Sequence, residues 1–259
     1  MTKTINIANI TDNLEVLKNQ WNDPAKPFRY LVFENFFLPE AAEHILESYP
    51  NVFETQWDGT TYINQKNKFT KTTFEPEQKI LSDVFEELNS QDFLDLISEI
   101  TGIHDLIPDN KLFGGGLHQS TTGAFLDVHV DFNFHPETKS HRRMNLIIYM
   151  NKDWKADYNG NLELWDMQTK QQLEDVAPLF NRFVIFETNE VSFHGHPKKL
   201  KTPHGLSRKS IAVYYYTAER DDVVASDHNT IYVNTEGVKG KVKNFSSGLK
   251  ALKERLLRK

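Results

Sequence analysis

Apolar positions along the chain fall into two regimes. Between residues 76 and 100 they recur at threes and fours: Ile80, Val84, Phe85 and Leu88, then Phe93, Leu96 and Ile97. That spacing predicts amphipathic helix, and the polar Asn89-Ser90-Gln91 divides it into two. At Lys111 the texture changes, with Gly114-Gly115-Gly116 as punctuation. From there to Arg220 short apolar runs alternate with turn residues, which is the texture of strands. Strands are expected at Leu117–Ser120, Ala124–Val130, Met144–Met150, Asn161–Trp165, Arg182–Glu187 and Ser207–Thr217. The break at Tyr158-Asn159-Gly160 has the residues of a hairpin turn.

Outside this region the pattern is sparser. Residues 1–27 read as a polar entry with a helix from Asn13 to Trp21, ended by Pro24. The aromatic and aliphatic run Phe28 to Phe37 suits a buried strand, and Pro39 opens a helix over Glu40–Ser48. Residues 52–75 predict a pair of irregular strands. Residues 221–244 are polar and poorly periodic. In Phe245–Lys259, Leu249, Leu252, Leu256 and Leu257 share one helical stripe. From Lys239 onward eight basic residues face one acidic residue, Glu254, which reads as a solvated terminal helix before it reads as a dock for an acidic partner.

Many short strands at this spacing predict an α+β, mainly β fold, a jelly roll (double-stranded β-helix) or barrel. Helices from the N-terminal part would support one outer face, and a helix would close the C-terminus. Residues 1–110 are read as support within the same domain, 111–220 as the core and 221–259 as a polar extension.

Composition narrows the chemistry. In 259 residues, 39% are hydrophobic and 25% charged, and no run approaches the length of a membrane span. The opening Met-Thr-Lys-Thr-Ile-Asn-Ile is not followed by an apolar core, so no export signal is expected and the cytoplasm is the expected compartment. There are no cysteines, which excludes disulfides, thiolate nucleophiles and cysteine-ligated metals. A net charge of −6 argues against nucleic acid as a partner.

Any metal must therefore be held by His, Asp, Glu or backbone oxygen. In Phe125–Phe132 the central His129-Val130-Asp131 places an imidazole and a carboxylate on one face of an extended backbone. With a distant second imidazole they would make a 2-His-1-carboxylate triad with open positions on ferrous iron. Taken alone, His-x-Asp equally fits two solvated polar residues at a strand end. Val191–Pro197 offers two candidates for the third ligand, His194 and His196, after the strand-like Phe183–Phe186. Fourteen residues past His194 comes Arg208. An arginine in a buried strand needs an anion, either a ligand carboxylate or a structural Glu partner.

Together these parts resemble the iron(II)/2-oxoglutarate-dependent oxygenase superfamily, nearest its prolyl-4-hydroxylase-like branch. The segments Arg142–Trp154, Gly160–Trp165 and Pro178–Phe186 resemble its strands in order and spacing, over roughly residues 112–217. The resemblance implies that His129, Asp131 and His194 hold Fe(II). It implies that 2-oxoglutarate binds the iron through its keto acid end and Arg208 through its far carboxylate. Tyr149 would donate to that same carboxylate, and Asn145 would face the same cavity. Dioxygen would be the co-reactant, succinate and carbon dioxide the products, and ascorbate an accessory reductant. Three features depart from the pattern. Asn161 replaces a second Gly, and Ala212 and Tyr214 stand where some prolyl hydroxylases carry Thr and Trp. Residues 198–206 lengthen the His194-to-Arg208 interval toward that of bacterial members.

His194 is preferred over His196 because Pro197 turns the backbone out of the sheet immediately after His196. His44, His104, His141 and His228 read as surface or core residues, and His118, His135 and His196 as neighbours of the site. Two other classes compete: a cupin-like isomerase or dioxygenase without a keto acid, and a non-catalytic binding module. Arg208 and Tyr149 discriminate against the cupin, which needs no anion clamp, and the presence of all three metal ligands and the arginine argues against the module. The primary substrate, a prolyl residue in a peptide or a small metabolite, is not legible. Its specificity would lie in residues 50–75, 132–142 and 196–206.

Overall fold

The structure is a computed structural model, and it describes residues 2–53, 57–62, 64–220 and 228–233. The helices come first. α1 (Ile7–Asp12) is capped by the Asn6 side chain, and α2 (Leu14–Trp21) follows at once. β1 (Tyr30–Glu34) leads to α3 (Pro39–Glu47), which starts on Pro39 because its missing N–H is no loss in the first turn. α4 (Lys79–Leu88) is launched by a 3-10 turn whose Glu75 and Gln78 form a reciprocal capping box. α5 (Gln91–Thr101) starts where Ser90 accepts from the Phe93 amide and stops at Gly102, whose φ of +69° is the left-handed conformation of a C-terminal cap.

The strands are β2 (Asp58–Tyr62), β3 (Gln65–Lys71), β4 (Ile107–Pro108), β5 (Gly116–Val130) and β6 (His141–Tyr149). After them come β7 (Leu162–Asp166), β8 (Gln171–Val176), β9 (Arg182–Glu187), β10 (Phe193–His196), β11 (Arg208–Thr217) and β12 (Ile231–Tyr232). They form one curled antiparallel sheet whose main path runs β1-β9-β6-β11-β5-β10-β7-β8. β5 belongs to both halves of the curl. Its Gly116–Ser120 part pairs with β11, and its Leu126–His129 part pairs with β10. The sheet therefore folds into two facing layers joined along β5, which is the jelly roll. β3 and β12 line the other edge of β5.

Strand alternation sorts the side chains. Leu146 and Ile148 of β6, Phe183 and Ile185 of β9, and Ile211 and Val213 of β11 share one core with Leu17, Trp21, Leu81, Val84, Phe93 and Ile97 of the helices. The alternate residues, Tyr149, Val184 and Phe186, meet Leu162, Leu164 and Val176 of the opposite layer in a second core. The N-terminal helices thus stiffen the outer face of the layer whose inner face carries the site.

Several expectations need correction. The two strands expected at Leu117–Ser120 and Ala124–Val130 are one strand of 15 residues. Its middle bulges at Thr121–Gly123, where the Gly123 amide donates to Leu200 O at 2.8 Å. Tyr158-Asn159-Gly160 does not close a hairpin. Asn159 and Gly160 have positive φ, but β6 pairs with β9 and β11 while β7 pairs with β8 and β10. The turn carries the chain from one layer to the other. α1, β8 and β10 were not expected as elements. The terminal helix over Phe245–Lys259 lies outside the described residues.

Candidate metal and cosubstrate site

The register of β5 against β10 sets His129 directly opposite His194. Their ring centroids are 4.4 Å apart. Asp131, one residue past the end of β5, reaches both: Oδ1 lies 3.5 Å from His129 Nε2 and Oδ2 lies 3.4 Å from His194 Nε2. One ligand atom from each residue falls within 4.8 Å of the others. Both rings are oriented from behind. His129 Nδ1 sits 2.8 Å from Asp127 O, and His194 Nδ1 sits 2.9 Å from Ser192 O. A carbonyl accepts only from N–H, so each ring carries its proton on Nδ1 and turns the Nε2 lone pair toward Asp131. Burial lowers the His129 pKa and favours that neutral form. Two neutral nitrogens and one carboxylate oxygen on one side of an ion fit ferrous iron with open positions.

Asp131 is held in its charged state. Burial alone would raise its pKa, but the Arg142 guanidinium leads the opposing interactions and the carboxyl is held well below the usual carboxylate range. Arg142 NH2 lies 3.1 Å from Asp131 Oδ2, and Asn145 Nδ2 donates to the same oxygen at 2.5 Å. Arg142 also donates to Asn145 Oδ1 from Nε at 2.9 Å and from NH2 at 2.6 Å. Its guanidinium is stacked between the rings of Phe132 and Tyr214. Asn145 therefore spends its amide on Asp131 and Arg142, so its recorded bonds go to the metal end of the site.

Arg208 heads β11 and is buried. Its Nε donates to Gly160 O at 2.7 Å, and its NH2 donates to Tyr149 Oη at 3.1 Å. Among the described residues no carboxylate pairs with it. The structural Arg–Glu pair weighed for this position is absent there. Tyr149 is fully buried, and that burial raises its pKa, so its hydroxyl keeps its proton. Gly160 makes the arrangement possible. A Cβ there would collide with Leu200 Cδ2 and stand 3.1 Å from Arg208 Cδ, at a φ of +83°.

The remaining histidines separate by their bonds. His135 Nδ1 accepts from the amides of Glu137 and Thr138, and its Nε2 lies 3.7 Å from Asp109, so it ties down the loop after β5. His118 Nε2 is 3.1 Å from Gly114 O. His196 is buried, and among the described residues its Nδ1 has no hydrogen-bond partner. Two residues escaped the sequence reading. Tyr232 of β12 pairs with His129 in register and brings its ring to 5.4 Å from that imidazole. Lys68 of β3 belongs to the same interior. Neither carries a local motif; only strand pairing between distant segments reveals them.

Residues 115–216 match the family model of the 2OG-Fe(II) oxygenase superfamily. Prolyl 3-hydroxylase OGFOD1 of Mus musculus is 34% identical over 86 residues, which is 32% of this chain and 15% of that protein. The matched stretch is thus a small part of that relative. Among solved structures, a prolyl hydroxylase of Trichoplax adhaerens, in complex with a hypoxia inducible factor peptide, superposes with a TM-score of 0.56 at 16% identity. It covers 80% of this chain and 91% of that one. A prolyl-4-hydroxylase of Pseudomonas putida gives a TM-score of 0.54 at 18% identity, covering 78% of this chain and 99% of that one. These two share the fold, and the sequence match includes His129, Asp131, Arg142, Asn145, Tyr149, Gly160, His194 and Arg208, but not Lys68 or Tyr232. Residues 115–216 of this chain are thus similar to the 2OG-Fe(II) oxygenase superfamily.

Proposed function

We propose that this chain is an Fe(II)- and 2-oxoglutarate-dependent dioxygenase that hydroxylates a C–H bond, with a prolyl residue in a peptide as the favoured substrate and a small metabolite as the other class. The observation that carries the reading is the coexistence, on β5, β10 and β11 of one curled sheet, of a converging His129–Asp131–His194 set and a buried Arg208 without a carboxylate partner among the described residues. A cupin-like enzyme would need the first but not the second. Prolyl substrates come from the likeness to prolyl hydroxylases.

His129, Asp131 and His194 would hold the metal. When bound, it supplies the oxidative chemistry in which dioxygen and 2-oxoglutarate become succinate and carbon dioxide while the substrate C–H becomes C–OH. The protein's own work is positioning. Asp127 O and Ser192 O fix the imidazole tautomers; Arg142 and Asn145 fix the carboxylate. Arg208 and the protonated Tyr149 offer N–H and O–H donors to the far carboxylate of the cosubstrate. Phe186, 4.5 Å from His194 between ring centroids, and Leu164 help keep the interior dry. Residues 111–220 act as the catalytic core. The cytoplasm as compartment and ascorbate as accessory reductant belong to the same reading; among the described residues no helix is long and apolar enough to cross a membrane.

The test is anaerobic loading with Fe(II), then exposure to oxygen and 2-oxoglutarate across a panel of prolyl peptides and small metabolites. Succinate release dependent on iron, and stimulated by a panel member that gains one oxygen, is expected. Full iron occupancy with no succinate under any condition would overturn the reading.

A further inference from the structure

The inner face that carries Arg208 carries another cation. β3 pairs with β5 through Lys68 and Ser120, and β5 pairs with β11 through Ser120 and Arg208. Directly paired residues on antiparallel strands point to the same face. Lys68, Ser120 and Arg208 therefore form one row across three strands, pointing into the space between the layers. Two strand spacings, about 9.6 Å, separate the backbones of Lys68 and Arg208. The Lys68 ammonium is felt by both His118 and His196. Its own field comes first from Asp131, then from Arg142 and Arg208, so it shares the interior with the residues of the site. Burial lowers its pKa to about 8, so it is still mainly charged at neutral pH.

No partner compensates that charge. Among the described residues the ammonium makes no ion pair and no hydrogen bond. The other cations are committed: Arg142 bonds to Asp131 and Asn145, and Arg208 bonds to Gly160 O and Tyr149. In the reading above, the two carboxylates of the cosubstrate are also committed, one to the metal and one to Arg208. Lys68 then remains as a half-buried cation with no partner among the described residues, a charge that an anionic ligand would complement. A second unmet group stands nearby. His196 is 6% exposed, and among the described residues its buried Nδ1 has no hydrogen-bond partner. With a net charge of −6 over the whole chain, acidic ligands gain nothing from the global field and must be recognised locally.

We propose that Lys68 is the specificity-determining anion contact of this site, and that the primary substrate is acidic, bearing a carboxylate beside the reacting residue. This rests on the 2-oxoglutarate-dependent reading and adds the substrate class to it. For a prolyl peptide, Asp or Glu would flank the proline.

The test uses the full chain, loaded anaerobically with Fe(II) and titrated by calorimetry. 2-Oxoglutarate is titrated first, then, at saturating 2-oxoglutarate, two probe peptides that differ only in Asp or Asn on either side of a central proline. Wild type and Lys68→Arg are expected to bind the Asp peptide on the order of tenfold more tightly than the Asn peptide, the scale of one charge-assisted contact. Lys68→Met and Lys68→Gln should lose that preference while keeping the 2-oxoglutarate affinity within about twofold. Equal behaviour of the two peptides with wild type, including failure of both to bind, overturns the proposal. A preference that survives in Lys68→Met and Lys68→Gln overturns it too. A loss confined to 2-oxoglutarate affinity would give the anion to the cosubstrate and overturn it as well. Failure of the dioxygenase reading itself looks different, because 2-oxoglutarate would not bind iron-loaded wild type in the first titration.

Discussion

Asn145 and Asp131 are joined by a 2.5 Å hydrogen bond from the amide of one to the carboxylate of the other, across 14 residues of sequence. The bond holds Oδ2 of Asp131 beside His194 and leaves Oδ1 beside His129. Asn145 Oδ1 is in turn pinned by Arg142 and by Thr188 Oγ1 at 3.3 Å, so the amide cannot rotate without breaking several contacts at once.

Asn145→Ala is therefore expected to weaken iron binding by about 10- to 100-fold, the usual cost of losing an outer partner of a metal ligand. At saturating metal, 2-oxoglutarate affinity should change little. Metal titration and calorimetry separate the two effects. A variant with normal iron affinity and poor 2-oxoglutarate binding would instead make Asn145 a cosubstrate contact, the role that its family resemblance implies.

Arg208→Lys should weaken 2-oxoglutarate binding by about 1.5–3 kcal/mol, because an ammonium cannot reproduce a planar fork of two donors. Tyr149→Phe should act in the same direction at about 1 kcal/mol, for one neutral hydrogen bond. Calorimetry on the metal-loaded variants checks both, and unchanged affinity in the two would remove the clamp.

Gly160→Ala tests the same clamp from behind. The added Cβ meets Leu200 Cδ2 and Arg208 Cδ at a backbone angle that alanine disfavours. A stability loss of about 1–3 kcal/mol is expected for a strained residue of this kind, together with weaker 2-oxoglutarate binding. Denaturant melts and calorimetry on one sample measure both.

Acid should destabilise the metal-free protein through its histidines. His118, His129 and His196 all have pKa values held below the ordinary 6.5, burial being the leading cause in each. Between 6.5 and those lower values the unfolded chain binds more protons than the folded one, so stability is complete above about pH 6.5 and falls as the pH drops beneath it. The slope is about 1.4 kcal/mol per pH unit for each histidine that stays neutral. Melting temperatures of the metal-free protein between pH 8 and pH 5.5 should be level and then decline; a level curve throughout would contradict the burial of these rings.

The sequence made some of this visible for definite reasons. His129-x-Asp131 is a local pattern on one strand, and the apolar core strand Arg182–Glu187 carries its own signal. β8 (Gln171–Val176) escaped because a polar edge strand has no alternation to detect, and β10 (Phe193–His196) because four residues are too few for a period. Tyr232 and Lys68 reach the site only through pairing with β5 from segments that are otherwise polar. The Asn145–Asp131 bond is of the same kind: both residues were singled out, but the contact between them is set by strand geometry. Asn159-Gly160 was recognised as a turn, whereas the layers it links depend on pairings made elsewhere.

The central claim is that His129, Asp131 and His194 bind iron, and metal content tests it most directly. Wild type and His196→Ala, loaded anaerobically with Fe(II) and desalted, should each retain about one iron per chain, the capacity of a single three-ligand site. Asp131→Ala and His194→Ala should retain almost none, with their melting curves showing that the chain is still folded. Iron kept by His194→Ala and lost by His196→Ala would contradict the account and move the distal ligand two residues along β10.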